Sequence, residues 1–157
     1  MTEVQSGEQR SQALGSEHLE HWQTYVFGGW SLMNEVSRRI DAVSDLNNAE
    51  WRLLEVLASV PHIQISGLAD RTQIGMSTVS RQVNRSIEKG HVRMADTPMA
   101  DARQKWVCIT ESGRAALGPV LQARDEAVRD LVLAEMSEDE LRWLATTFEN
   151  IRLRCQG

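Results

Sequence analysis

Cysteine is scarce in this 157-residue chain: Cys108 and Cys155 are the only two, with no C-x-x-C pair. That excludes a disulfide scaffold and fits a reducing compartment. No apolar run approaches the roughly 18 residues that a bilayer-spanning helix needs. The opening MTEVQSGEQRSQALGSEH has neither a basic start nor an apolar core, so it does not read as a secretory signal. Catalytic signatures are missing too, with no glycine-rich phosphate loop, no G-x-S-x-G and no H-E-x-x-H. The acidic clusters fall at helix starts, where they cap and complement the dipole. The expectation is a cytoplasmic protein that is not an enzyme and has no membrane partner, no cofactor and no metal.

Positive charge is also short overall, the net being −5, but it is unevenly placed. Between Arg71 and Ile109 stand seven basic residues (Arg71, Arg81, Arg85, Lys89, Arg93, Arg103, Lys105) against three acids, an excess of four, which leaves −9 for the remainder. One basic segment within an acidic chain is the distribution that phosphate binding requires.

Residues 1–15 lack periodicity and read as a flexible tail. Leu19, Trp22, Val26, Trp30, Met33, Val36 and Ile40 recur every three or four residues, which predicts a long helix with one apolar stripe. Gly28-Gly29 within it implies a kink or a close helix crossing. Asn47-Asn48-Ala49-Glu50 is a capping box opening a second helix, with Trp51, Leu53, Leu54 and Leu57 as its apolar residues. A short helix from about Ser66 and a turn at Gly75 come next. A further helix from about Ser77 stops at Gly90. Two hairpin strands, His91–Met94 and Lys105–Ile109, flank a loop holding Asp101-Ala102-Arg103. Thr110 caps the next helix, which Gly118-Pro119 should bend or interrupt, and Ser137–Glu140 boxes the last one. The fold class is therefore mainly α: a winged helix-turn-helix flanked by N- and C-terminal helices. The boundaries are a tail at 1–15, an N-terminal helix at 16–45, the winged helix at 46–113 and C-terminal helices at 114–157, the terminal helices being those to which the resemblance described below gives dimerisation.

On the helix from Ser77, Met76, Val79, Val83 and Ile87 share one face, whereas Ser77, Thr78, Arg81 and Arg85 point the other way. Guanidiniums reach guanine edges bidentately, and short hydroxyls contact bases or phosphates. Ser77, Thr78, Ser80, Arg81, Gln82 and Arg85 are the candidate major-groove residues. In the hairpin loop, Arg103 is placed to enter a minor groove and Asp101 to hold the loop's shape.

These elements together resemble the multiple-antibiotic-resistance regulator (MarR) family of transcription factors. The residues that carry the resemblance are Leu46-Asn47 leading to Trp51-x-Leu53-Leu54, Leu68-Ala69, Ser77-Thr78-Val79-Ser80-Arg81, Lys89-Gly90-x-Val92, Asp101-x-Arg103 and Ile109-Thr110-x-x-Gly113. Two departures stand out: Ser86 where a leucine is usual, and Arg93-Met94 where Glu-Arg is usual. The resemblance implies a homodimer reading pseudo-palindromic double-stranded operator DNA, most often as a repressor released by a small, frequently aromatic, effector. Trp22, Tyr25, Trp30, Trp51 and His62 are the residues that would line an effector crevice, against the alternative that these rings are core or dimer interface. Other readings are a metal-responsive regulator through His18 and His21, a redox-responsive one through Cys108 or Cys155, and a winged-helix interaction module that binds no DNA.

Overall fold

The computed structural model describes residues 13–95 and 105–155. The chain divides into two compact units, one ending at Met33 and the other beginning at Asn34. The first contains most of helix α1 (Ser16–Asp41), which runs through Gly28-Gly29 unbroken. A Cβ on either glycine would meet nothing within 4 Å, so no close crossing is made there. Of the expected apolar stripe, Leu19, Trp22, Trp30 and Met33 are exposed, whereas Val36 and Ile40 are buried. Trp22 pairs with Tyr25 at 5.6 Å and Phe27 with Trp30 at 5.8 Å between ring centroids, so the rings contact one another along one helix.

The second unit is organised around helix α2 (Asn48–Ala58), whose capping box forms as expected. Asn47 Oδ1 accepts from the Glu50 backbone N–H at 3.0 Å, and Glu50 Oε2 accepts from the Asn47 N–H at 3.0 Å. Strand β1 (Ile63–Gln64), α3 (Ile65–Thr72), α4 (Met76–Glu88), β2 (Val92–Met94), β3 (Trp106–Ile109) and α5 (Glu111–Val128) follow, then a π-helical turn at Arg129–Leu133 and α6 (Glu138–Cys155). Helix α2 packs on α3, α4, α5 and β3, which explains why Trp51, Leu53, Leu54 and Leu57 are all buried. Leu68, Val79, Val83, Val107, Leu117 and Val120 close the core around it. Burying each such side chain contributes about 1.5–3 kcal/mol.

The sheet has three strands in the order β1-β3-β2, all antiparallel, with Ile63 opposite Val107 and Val92 opposite Ile109. The hairpin was expected; the two-residue strand before α3 was not. Too short for period-two alternation to register, it makes β3 central and buries Val107 and Cys108. Pro119 does not interrupt α5, which carries it inside an 18-residue helix. The irregularity comes ten residues later, in the π-helical turn. Past Ala127 no residue of the turn or of α6 is buried, and α6 exposes Trp143, Phe148, Ile151 and Leu153. Its capping box forms, Glu140 Oε2 accepting from the Ser137 N–H at 2.8 Å. Arg39 ties the end of α1 to the π-helical turn through Asp130 at 2.7 Å. Glu35, hydrogen-bonded by Arg38 and Arg39, has its carboxyl lowered to about 2.

Candidate nucleic-acid interface

Helix α4 begins where α3 is forced to stop. Thr72 is buried and donates its hydroxyl back to the Leu68 carbonyl at 2.7 Å, while Gln73 takes a left-handed φ of 55°. Arg52 of α2 donates to the Thr72 carbonyl, so the turn is held from the core side. Gly75 then occupies the N-cap of α4 without a side-chain cap. The Thr78 N–H donates to the Gly75 carbonyl at 2.9 Å, but no side chain caps the first turn, which suits a helix start that meets phosphate.

Along α4 the separation of faces is sharp. Val79, Gln82, Val83 and Ser86 are buried; Ser77, Arg81, Asn84, Arg85 and Glu88 are exposed; Thr78 and Ser80 are half-buried. At about 100° per residue, Ser77, Thr78, Asn84, Arg85 and Glu88 all fall within roughly 60° of Arg81. Neither Arg81 nor Arg85 makes a side-chain hydrogen bond or ion pair among the described residues. This is one exposed stripe carrying two guanidiniums, an amide, two hydroxyls and, at its far end, the Glu88 carboxylate.

Two placements correct the sequence expectation. Gln82 is only 6% exposed and packs on the core side, so it does not belong to the outward stripe. It lies about 100° round the helix from Arg81, past the edge of the solvent face. Its Oε1 is buried with no hydrogen-bond partner among the described residues. Asn84, which sequence reasoning passed over, lies on the stripe, and an amide can pair with an adenine edge. Its signal was available: 84 lies three residues past 81 and seven past 77. Ser86 is buried as expected from the wheel, at 2% exposure. Asp101 and Arg103 lie outside the described residues.

The far end of α4 is anchored. Glu50 is 1% exposed, and its carboxylate takes Lys89 Nζ at 2.7 Å while also capping α2. Burial pushes its carboxyl up, but the hydrogen bonds from Lys89 and the Asn47 backbone outweigh that and leave it lowered. Lys89 therefore works as a structural counter-ion, and the basic excess at the surface is smaller than the sequence count suggests. Gly90 follows at φ 75°. The His91 N–H donates to the Ser86 carbonyl at 2.8 Å, and the Thr110 N–H to the His91 carbonyl at 2.9 Å. Thr110 Oγ1 donates to the Gly90 carbonyl at 2.6 Å and accepts from the Gly113 N–H at 3.0 Å. The end of α4, the start of β2 and the first turn of α5 thus share one hydrogen-bonded junction.

Trp22, Tyr25 and Trp30 belong to the first unit and are exposed; in the second, Trp51 is core and His62 meets Trp106 edge-on at 5.1 Å. One cavity of about 740 Å³ is bounded by Asp70, Arg71, Gln73 and Arg152, and another of about 400 Å³ lies beside Lys89 and His91. Neither is lined by any of the five residues expected at a crevice. Cys108 is buried in β3, which shields its thiol, and Cys155 is exposed at the end of α6. Among the described residues no group of three or more His, Cys, Asp or Glu side chains is placed to hold a metal, so His18 and His21 gain no third ligand. No helix among the described residues is long and apolar enough to cross a membrane.

A profile of the MarR family matches residues 44–100. No curated protein matches the chain by sequence. Among solved structures, the fold is similar to that of Sco3205, a MarR family transcriptional regulator from Streptomyces coelicolor solved in complex with DNA. The TM-score is 0.85 at 22% identity, covering 95% of this chain and 94% of that one. AbsC, a MarR family transcriptional regulator from the same organism, matches with a TM-score of 0.84 at 19% identity over 94% and 99% of the two chains. A mutant MarR from E. coli complexed with operator DNA matches at 0.71 and 17% identity over 89% and 99%.

Proposed function

We propose that the chain is a member of the MarR family, a sequence-specific DNA-binding transcriptional regulator acting as a homodimer. The observation that carries this reading is the exposed stripe of α4. Ser77, Arg81, Asn84 and Arg85 face outward, and neither guanidinium makes a side-chain hydrogen bond or ion pair among the described residues. In this reading α4 enters the major groove, Arg81, Arg85 and Asn84 address base edges, and Ser77, Thr78 and Ser80 serve bases or phosphates. Arg103 enters the flanking minor groove with Asp101 shaping the loop.

The dimer is supported by two exposed apolar surfaces, on α1 (Leu19, Trp22, Trp30, Met33) and on α6 (Trp143, Ile151, Leu153). Covering such patches with a second copy is the common solution for soluble oligomers. Two-fold symmetry places the two half-sites about 10 base pairs apart on a pseudo-palindrome. The protein works in the cytoplasm as a repressor that a small effector releases from its promoter.

Mobility-shift and footprinting assays on the DNA upstream of its own gene test the reading. A discrete footprint is expected, with affinity falling steeply as salt rises, because each neutralised phosphate adds about −0.9 to the logarithmic salt slope. An intact dimer that shifts no DNA would replace this reading with that of a protein-interaction module.

A further inference from the structure

The outward stripe of α4 ends in an acid. Glu88 is exposed and stands about 20° round the helix from Arg81, closer to that line than Ser77, Asn84 or Arg85. Its carboxylate makes no hydrogen bond or ion pair among the described residues. The cations nearest in sequence do not hold it: Lys89 is engaged by Glu50 at 2.7 Å, and Arg85, one turn back, makes no ion pair.

Nothing in the free protein favours an acid at this point. Glu88 is the last residue of α4, and a helix C-terminus is already the negative end of its dipole. On a face that meets DNA, a carboxylate is also repelled by phosphate. Both penalties are offset only where the carboxylate finds a hydrogen-bond donor, because an ionised glutamate can only accept. In the major groove guanine presents two acceptors, and thymine an acceptor and a methyl group. Adenine sets its amino group beside the N7 acceptor, and cytosine offers an amino donor alone. A carboxylate is therefore satisfied by cytosine and repelled by guanine, the reverse of what the donor-only guanidiniums of Arg81 and Arg85 select. Helical side chains lean toward the N-terminus, so the Glu88 carboxylate lies over the turn of Asn84 and Arg85, within the stretch assigned to the groove.

We propose that Glu88 is a specificity-determining residue, its carboxylate accepting from the amino group of one cytosine in each half-site and rejecting guanine there. The inference rests on the regulator reading. At 1.5 Å of rise per residue, Glu88 lies about 10.5 Å beyond Arg81 along the helix, so the two side chains read different base pairs.

The test is selection of binding sites from random-sequence duplex DNA at one salt concentration. It uses the full-length parent, Glu88→Ala, Glu88→Gln and Arg81→Ala. Glu88 is exposed and holds no other residue, so its variants keep the fold. The parental motif should carry one cytosine per half-site, preferred about tenfold over guanine, that Glu88→Ala no longer selects while the other positions stay. Glu88→Gln should exchange that cytosine for adenine, since a side-chain amide pairs with N6 and N7 together. Arg81→Ala should erase a different position. Both neutral variants should also bind duplex lacking the motif at least about twofold tighter, having lost an anion that faces phosphate. An unchanged motif from Glu88→Ala, a loss spread over the whole site, a lost base other than cytosine, or an unchanged affinity for duplex lacking the motif would overturn the proposal. A parent that selects no motif refutes the regulator and this inference with it, whereas a parental motif that survives in Glu88→Ala refutes the role of Glu88 alone.

Discussion

Replacing Gly113 by alanine isolates the junction that ends α4 and begins α5. A Cβ built at Gly113 falls well under 3.0 Å from the His91 carbonyl oxygen and 2.8 Å from Ile109 Cγ1. Even a weak C–H···O contact keeps roughly 3.3–3.6 Å, and the obstacle is backbone that cannot rotate aside. The first turn of α5 must back away, which stretches the Thr110 N–H to His91 bond (2.9 Å) and the Gly113 N–H to Thr110 bond (3.0 Å). Two weakened hydrogen bonds at about 1 kcal/mol each and overpacking of about 1–3 kcal/mol oppose a helix-propensity gain of about 1 kcal/mol. The expected net loss is about 2–4 kcal/mol. Gly118 on the same helix is the control: it is exposed, and a Cβ there meets nothing within 4 Å. Gly118→Ala should stabilise by about 0.5–1 kcal/mol. Urea unfolding of both variants at one fixed protomer concentration measures the pair, since the proposed dimerisation would make stability concentration-dependent. A Gly113→Ala protein within about 0.5 kcal/mol of the parent, the range of an ordinary surface change, would refute the reasoning.

Further expectations follow from the same geometry. Arg81→Ala should lose about 1–3 kcal/mol of base discrimination and its footprint, and a parental footprint would remove α4 from the major groove. Gln82→Met keeps the side-chain length and removes an unpartnered buried amide, so it should stabilise by about 1 kcal/mol and leave operator affinity within about twofold; a tenfold loss of affinity would return Gln82 to the DNA surface. Glu50 is lowered in the folded state, so its stabilisation is full above the unfolded carboxyl value of about 4.3 and is lost as pH falls through the lower folded value. Acid unfolding of Glu50→Gln should show a smaller pH slope below about pH 4.3 than the parent, and an equal slope would exclude Glu50 as the cause. Trp143→Asp, at a residue 68% exposed in the protomer, should dissociate the dimer in sedimentation while the protomer stays folded; an intact dimer would place the interface elsewhere.

Most elements were legible because their signals are local. Asn47 with Glu50, Thr110 before Glu111 and Ser137 with Glu140 announced three helix starts, and Gly90 announced one end. The exposed stripe of α4 was legible from the wheel, Asn84 included; Gln82, about 100° round from Arg81 at the margin, is polar, and packing decides that it turns inward. Strand β1 was hidden because two residues carry no period. The ion pair between Glu50 and Lys89 spans 39 positions and leaves no trace in a local window. The aromatic residues were visible as a stripe, but a stripe does not say whether it meets its own chain, a second copy or a ligand.

The exposure of the tryptophans has a spectroscopic consequence. Of the five, Trp22, Trp30 and Trp143 are exposed, Trp106 is half-buried and Trp51 is core. The emission of this protein is therefore dominated by indoles on the surfaces assigned to the dimer. Its spectrum should shift to the blue with rising protomer concentration. Intrinsic fluorescence, the obvious optical assay for an effector, is here a gauge of assembly.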